Sequence, residues 1–274
     1  MIFSIVLGLV VLLIVLDSIG SKQVRRLIIN KAKSAFEYAL AEDNEVSLGS
    51  AESLPRELKR FLKASQAQEA IPPLTLRMKL KGAVKAATKK SWTPIEQKLF
   101  LSYQPASFIS YQDLTLGFLI SQKQFTILNS NEAQAGTKVL SVFSKNRGSH
   151  ERRLIEGGLH YLAMLPWQPN LARSSFIQWK GTTATLVLGK RNIKGEFRFN
   201  KKGLIQQLSG TFSLKDSSGT AKINFQFNYS DYRSYDHLMV PFHLKVLYWQ
   251  GKSTNDLFEF DVTDLVYNED FAWW

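Results

Sequence analysis

The sequence predicts an α+β protein that is mostly antiparallel β. We expect a large curled sheet or half-barrel, covered by a few helices and preceded by an N-terminal transmembrane helix. Three observations lead to this prediction. Many segments alternate apolar and polar residues, as half-buried strands do. Short clusters of Gly, Asn, Asp, Ser or Lys separate these segments, which favours antiparallel neighbours. The first 16 residues carry no charged side chain.

The apolar N-terminal segment predicts a membrane anchor at residues 1–20. Its first 16 residues reach roughly 24 Å as a helix, slightly less than the roughly 30 Å of a bilayer core. Positive charges follow this segment and none precedes it, so the positive-inside rule predicts a single-pass protein with a cytoplasmic domain. A cleaved signal peptide is the alternative, because Ser18 and Gly20 have the spacing of a cleavage site. In that case the domain is exported.

A basic helical neck and linker is predicted at residues 21–52. Ser21 is a candidate N-cap, and apolar residues follow it at spacings of three and four. The net charge of +12 favours a polyanionic neighbour. Because the densest cluster of cations directly follows the apolar segment, membrane lipids are the expected partner and nucleic acid is unlikely. Packing of the neck on the main domain is the alternative. The candidate membrane-surface residues are Lys22, Arg25, Arg26, Lys31 and Lys33.

The remaining residues, 53–274, are predicted to form one β-rich domain. A short helix begins near Ser53, and a longer helix at 151–165 interrupts the strand series despite Gly157 and Gly158, which indicate close packing or a kink. Strands are predicted at 74–81, 98–103, 114–121, 124–129, 138–144, 183–189, 195–200, 205–214, 222–229, 241–249 and 257–267.

Several kinds of active site are excluded by composition. The chain has no cysteine, so disulfides, thiolate nucleophiles and cysteine-ligated metals are absent. Its four histidines do not form an H-E-x-x-H or H-x-H pattern, and no P-loop, G-x-S-x-G or G-x-G-x-x-G motif occurs. We therefore predict no metal site, no cofactor and no catalytic residue, and an enzyme is the less favoured class.

One polar cluster consists of Asp231, Arg233, Asp236 and His237, predicted to lie in a connection between two strands. A carboxylate beside a histidine can transfer protons in a cleft. The alternative is a solvated loop in which the aspartates stabilise turns and Arg233 pairs with one of them.

Aromatic residues supply a second set of candidates. Trp92, Trp167, Trp179 and Trp249 are candidate residues for an apolar ligand site, with core packing as the alternative for each. The aromatic C-terminus at 271–274 either docks on the domain or inserts into a membrane interface, where indole rings prefer to lie.

The order of several motifs resembles an uncharacterised, mainly bacterial family, a domain of unknown function. The motifs are L-P-x-x-L-x-R-F-L at 54–62, a strand with Trp92, L-x-Y-L-A at 159–163 followed by Trp167, and D-Y-R at 231–233. The resemblance covers about 54–267. It implies an Arg and a Glu at the positions where this chain has His160 and Met164. The layout is also similar to the half-barrels of lipoprotein carriers, which hold acyl chains.

These observations together predict a membrane-tethered binding module for a lipid or other amphiphilic ligand. The anchor, the basic neck and the long series of alternating strands support this hypothesis. An enzyme acting on such a ligand and a protein-interaction scaffold at the membrane are the two alternatives.

Overall fold

The computed structural model describes residues 2–39, 48–68, 73–86, 91–103, 106–115, 121–129, 133–139, 143–146, 149–188, 191–216, 219–251 and 253–268. Its α-helices are α1 (Ile2–Ala39), α2 (Arg56–Ala64) and α3 (His150–Ala163), with short 3₁₀ helices at Ala51–Ser53 and Pro169–Arg173. The predicted aromatic C-terminus lies outside the described residues.

Within these residues, thirteen strands form one sheet in which every pairing is antiparallel. The prediction of a mostly antiparallel fold with few helices is therefore confirmed. The sheet order is β6-β5-β4-β3-β2-β1-β13-β12-β11-β10-β9-β8-β7. The strands are β1 (Thr75–Ala86), β2 (Thr93–Ser102), β3 (Ser107–Thr115), β4 (Ser121–Leu128), β5 (Ala133–Val139), β6 (Phe143–Asn146), β7 (Ile177–Lys180), β8 (Thr183–Leu188), β9 (Arg191–Phe199), β10 (Ile205–Asp216), β11 (Gly219–Tyr235), β12 (Leu238–Gln250) and β13 (Ser253–Tyr267).

Two meanders make up this sheet, and the pairing of β1 with β13 joins them. All other neighbours in the sheet are consecutive in sequence. At the junction, Gly82 lies opposite Phe260. A Cβ atom at Gly82 would overlap the main-chain carbonyl of Glu259. The absence of a side chain at this position therefore allows the two meanders to approach each other.

Helix α3 contacts both arms of the sheet, namely β3 to β5 on one side and β8 to β10 on the other. Strands β5 and β8 are ten steps apart in the sheet order. In a flat sheet they would be separated by roughly 48 Å, whereas the 14 residues of α3 span only about 21 Å. The sheet is therefore not flat between them, and its two arms approach each other across α3.

Two adjacent glycines allow α3 to pack closely between the two arms of the sheet. A Cβ at Gly157 would lie 3.2 Å from Cβ of Leu128 on β4, and one at Gly158 would overlap Ile193 on β9. The close packing predicted for this pair is present, and no kink is needed to explain it.

Helix α1 packs on the opposite face of the sheet. Val24, Ile28 and Ala32 form a separate buried cluster with Phe100, Ile109 and Ile127 of β2 to β4. Ser21 does not begin a helix, because α1 continues through it and its hydroxyl donates a hydrogen bond to the carbonyl oxygen of Asp17 (2.6 Å). Among the described residues, no helix has both the length and the apolar stretch that a bilayer crossing requires. The predicted transmembrane helix is therefore not supported.

Several predicted boundaries were wrong. Strand β3 begins at Ser107, well before the predicted strand at 114–121, and the short strands β6 and β7 flank α3 and the segment that follows it. The short helix begins after Pro55 and not after Ser53. Strands β11 and β12 are longer than predicted, so only Asp236 and His237 remain between them.

We predict that Gly82→Ala strongly destabilises the domain. The new methyl group would push against the backbone of β13, which cannot rotate away as a side chain can, and overpacking of this kind typically costs about 1–3 kcal/mol. Chemical unfolding should show this loss. Lys81→Ala is the matched control, because Lys81 is exposed on the same strand and should change stability by no more than about 0.5 kcal/mol. Equal stability of the two variants would contradict the assigned role of Gly82.

Candidate functional site

A cavity of about 340 Å³ lies between α3 and the sheet. It occupies one half of the inner face, toward the ends of the strands at Ala86, Thr93, Gln122 and Asp256, all of which line it and are partly exposed. Its volume lies within the roughly 300–1,000 Å³ typical of small-molecule sites. The cavity spans the β1–β13 junction, so both meanders contribute to its walls.

One wall of the cavity is apolar. Its side chains come from β1 and from the arm formed by β10 to β13, with aromatic rings prominent among them. Two of these rings, Phe258 and Phe260, stack at 6.1 Å between centroids. The apolar lining residues on these strands are Leu80, Val84, Ala86, Phe212, Ile223, Phe227, Leu244, Val246, Phe258 and Phe260.

The opposite wall combines apolar residues, Leu99, Phe108 and Leu114, with uncharged amides. Gln97, Gln112 and Gln124 occupy directly opposed positions on β2, β3 and β4, so they form a row across three strands. Gln97 is buried and donates a hydrogen bond from Nε2 to Oγ of Ser110 (2.9 Å). Each amide offers both a donor and an acceptor. Gln122 extends this polar wall toward the end of β4.

Helix α3 adds a line of side chains to the cavity. Arg152, Glu156, His160 and Met164 follow each other at intervals of four residues, which places them on one helical face. All four line the cavity. The guanidinium of Arg152 donates from Nε to Oε1 of Glu156 (2.8 Å), so the positive charge is matched beside it.

His160 lies among aromatic rings at the centre of this line. Its ring stacks on Phe108 at 5.7 Å and meets Phe227 edge-on at 6.0 Å. Its Nε2 is 3.4 Å from the hydroxyl of Tyr248. This packing holds the imidazole against the cavity wall in a defined orientation.

The floor of the concave face is filled by protein side chains. Trp167 is fully buried and donates from Nε1 to the carbonyl of Pro241 (2.7 Å). The hydroxyl of Tyr229 donates to the carbonyl of Ala163 (3.0 Å), and that of Tyr267 donates to the carbonyl of Trp167 (2.6 Å). Burial raises the pKa of the Tyr229 phenol well above its usual value. These bonds fix the end of α3 to the sheet. The cavity lies toward the other end of the strands.

Comparison with known families assigns the chain to one of them. A family profile matches residues 52–267, which covers most of the chain. The chain belongs to DUF6920, a family of unknown function. His160 and Met164, the two positions at which the motifs implied a departure from the family pattern, both line the cavity of this DUF6920 domain. No functionally curated protein matches the chain significantly.

Three solved structures show a distant similarity. A DUF1329 family protein from Desulfovibrio piger is 9% identical, with 79% of this chain and 93% of that chain covered and a TM-score of 0.45. A domain named as an outer membrane lipoprotein-sorting protein from Vibrio parahaemolyticus is 9% identical, with 80% and 93% covered and a TM-score of 0.40. A LolA superfamily protein from Nitrosomonas europaea is 11% identical, with 78% and 94% covered and a TM-score of 0.34.

The candidate tryptophans do not come together at the cavity. Trp167 belongs to the core, and Trp179 is partly buried and donates from Nε1 to the carbonyl of Ala172 (2.8 Å). Trp249 is partly exposed near the end of β12. Trp92 is 41% exposed in the connection between β1 and β2.

The polar cluster lies at the opposite end of the sheet from the cavity. Asp236 and His237 form the tight turn between β11 and β12, and both have positive φ angles. Arg233 pairs with Asp231, with 3.1 Å between Nε and Oδ1, and both are exposed. Its guanidinium also lies 4.8 Å from the ring centroid of Phe242. The arrangement corresponds to the solvated turn with an internal ion pair, and it does not form a cleft.

The five neck cations, Lys22, Arg25, Arg26, Lys31 and Lys33, are all exposed on α1. Below the helix, the side chain of Lys123 is 5% exposed, and its ammonium lies 3.1 Å from Oδ2 of Asp17 and 3.9 Å from Oδ2 of Asp113. Burial raises the pKa of the Asp113 carboxyl, and the charge of Lys123 opposes that shift. This ion-pair cluster fixes α1 to the outer face of β3 and β4.

Sequence reasoning missed most of the cavity lining. The spacing of four between Arg152, Glu156, His160 and Met164 was a visible signal for one helical face. The glutamine row had no such signal, because its members are distant in sequence and meet only through strand register. Those residues became recognisable once the pairing of β2, β3 and β4 was known.

We predict that Lys123→Met loosens α1 from the sheet. The substitution leaves two carboxylates near each other without their shared cation, and breaking a fully buried pair costs about 3–5 kcal/mol. Because both aspartates are partly exposed, we expect about 1–3 kcal/mol. Amide hydrogen exchange around Asp17 should therefore accelerate about tenfold or more, with the strands unchanged.

Lys33→Gln is the control for this experiment. It removes an exposed pair with Glu37 on the same helix and should leave exchange near Asp17 unaltered. If exchange in α1 is the same in both variants, the buried ion pair does not hold the helix.

Proposed function

We propose that this chain is a binding module for a lipid or other amphiphile, held at a membrane surface by its N-terminal helix. The cavity carries this proposal. In this view the bent sheet acts as a half-barrel, and α3 covers the bound ligand. The chain is then organised as an apolar segment at 1–20, a basic neck at 21–52 and a ligand-binding domain at 53–274.

The two walls of the cavity support an amphiphilic ligand. The wall formed by β1 and β10 to β13 presents aliphatic and aromatic side chains, which favour an acyl chain. The wall formed by β2 to β4 presents the amides of Gln97, Gln112 and Gln124. A ligand with an apolar tail and a polar head matches both walls, because the first wall favours burial of the tail and the amides can hydrogen-bond to the head.

The charges around the cavity favour an uncharged polar head. Among the lining residues that the structure describes, Arg152 is the one Lys or Arg, and its guanidinium pairs with Glu156. A free carboxylate would meet Glu156 and Asp256, both of which line the cavity. Hydroxyl, ester or amide groups instead fit the glutamine row, because each amide both donates and accepts. A monoacylglycerol is a suitable representative of this chemical class.

We predict that Ile223→Trp weakens binding of a fluorescent monoacylglycerol at least tenfold. The indole would occupy space in the cavity next to the half-buried Ile223. Lys222→Trp adds the same side chain at the neighbouring exposed position and should bind as the wild-type chain does. Fluorescence titration measures both affinities. Equal binding by the two variants would show that the ligand does not use this cavity.

We predict that Gln112→Leu lowers the affinity for a monoacylglycerol about fivefold. The change keeps the side-chain size and removes hydrogen bonds worth about 1 kcal/mol. Affinity for an alkylbenzene, which has no polar head, should stay the same or increase. Gln134→Leu, at an exposed position on β5, is the matched control. Tighter binding of a free fatty acid than of the monoacylglycerol would contradict the uncharged head group.

A further inference from the structure

The open end of the cavity and the apolar half of α1 lie at the same end of the sheet. Asp17 is fixed beside Lys123 and Asp113, near the start of β4 and the end of β3. Ile28 belongs to the same buried cluster as Ile109, which lies farther from that end. Helix α1 therefore runs from the end of β3 toward its beginning, and the residues before Asp17 extend past the strand ends that border the cavity.

Apolar side chains of α1 are exposed before and just after Asp17. Each of the following is about half exposed: Val11, Leu12, Ile14, Val15 and Ile19. A contiguous exposed apolar surface on a protein is typical of a contact with another protein or with a membrane. Trp92 is exposed in the β1–β2 connection at the same end of the sheet. Tryptophan is enriched where membrane meets water.

The charges beside this apolar surface favour a bilayer as the partner. Lys22, Arg25 and Arg26 are exposed on α1, and Lys22 lies about 10 Å along the helix axis from Val15. With the apolar side chains in the outer acyl region, these cations reach the level of the lipid head groups. Basic side chains contribute to binding of anionic lipids at that level.

We propose that this end of the domain docks on an anionic bilayer with the cavity opening directed toward the lipids. The ligand then moves between bilayer and cavity without passing through water. This inference rests on the proposed function for the identity of the ligand. It adds the orientation of the domain on the bilayer. The partner is a lipid surface, and docking requires only that the apolar side chains enter its outer layer.

Single-cysteine labels test this orientation, since the full chain contains no cysteine. Ser91→Cys places a label beside Trp92 at the cavity end, and Ser234→Cys places one at the opposite end of the sheet; both serines are exposed. Ser18→Cys marks α1. Each labelled full-length variant is mixed with vesicles of phosphatidylcholine and phosphatidylglycerol that contain a lipid-bound quencher.

We expect strong quenching of the labels at positions 18 and 91 and little quenching at position 234. Replacing Lys22, Arg25 and Arg26 together by Gln should weaken vesicle binding severalfold, and added salt should have a similar effect on the unsubstituted chain. Pure phosphatidylcholine vesicles should bind weakly. Quenching at position 18 alone would overturn the proposed orientation, because the cavity would then face away from the bilayer.

Equal quenching at positions 91 and 234, or no vesicle binding, would also overturn it. Capture of a second copy of the chain through α1, seen as a dimer without vesicle binding, would assign the apolar surface to self-association and contradict the proposal. The comparison of Ile223→Trp with Lys222→Trp is made without vesicles. If the quenching pattern contradicts the orientation but monoacylglycerol still binds in the cavity, this inference fails and the proposed function stands. If monoacylglycerol does not bind in the cavity, the proposed function itself fails.

Discussion

The pairing of β1 with β13 is the constraint on which the rest of the structure depends. Every other strand pairs with its neighbour in sequence, so both meanders form through short connections. The junction joins residues as distant as Leu76 and Tyr267, and such closure carries an entropic cost that increases with loop length. The cavity spans this junction, because β1 to β4 of one meander and β10 to β13 of the other both line it. Both sides of the cavity therefore come together only when the junction has formed.

Helix α3 determines how far apart the two arms of the sheet remain. It lies between β3 to β5 and β8 to β10, and its two glycines permit close contact with both arms. The same helix carries Arg152, Glu156, His160 and Met164 on the face that lines the cavity. Close packing on the sheet and lining of the cavity thus use different positions of one helix. A substitution that changes the spacing of the arms should also move the polar side chains relative to the apolar wall.

The sequence predicted elements well where the signal is local. Alternation identified the antiparallel fold, and the apolar spacing before Pro166 identified α3. The β1–β13 junction joins distant strands and has no local signal. The glutamine row depends on the register of β2 to β4, and the predicted strands at 98–103 and 114–121 did not include Gln97 or Gln112. The apolar segment before Asp17 predicted a transmembrane helix from hydropathy alone. Hydropathy did not show that the same helix continues along the sheet, where Val24 and Ile28 are buried by residues of distant strands.

Strand register links the two surfaces that the proposed function requires. Adjacent residues of a strand point to opposite faces, so Gln112 lines the cavity while Asp113 lies under α1, and Gln124 lines it while Lys123 binds Asp17. A one-residue slip in the register of β4 would bring the Lys123 ammonium into the cavity and turn Gln124 toward α1. Because burial of that cation without Asp17 and Asp113 is unfavourable, the ion pair that holds α1 also selects the register of β3 and β4. Attachment of the N-terminal helix and the polarity of the cavity are therefore determined by the same strand pairing.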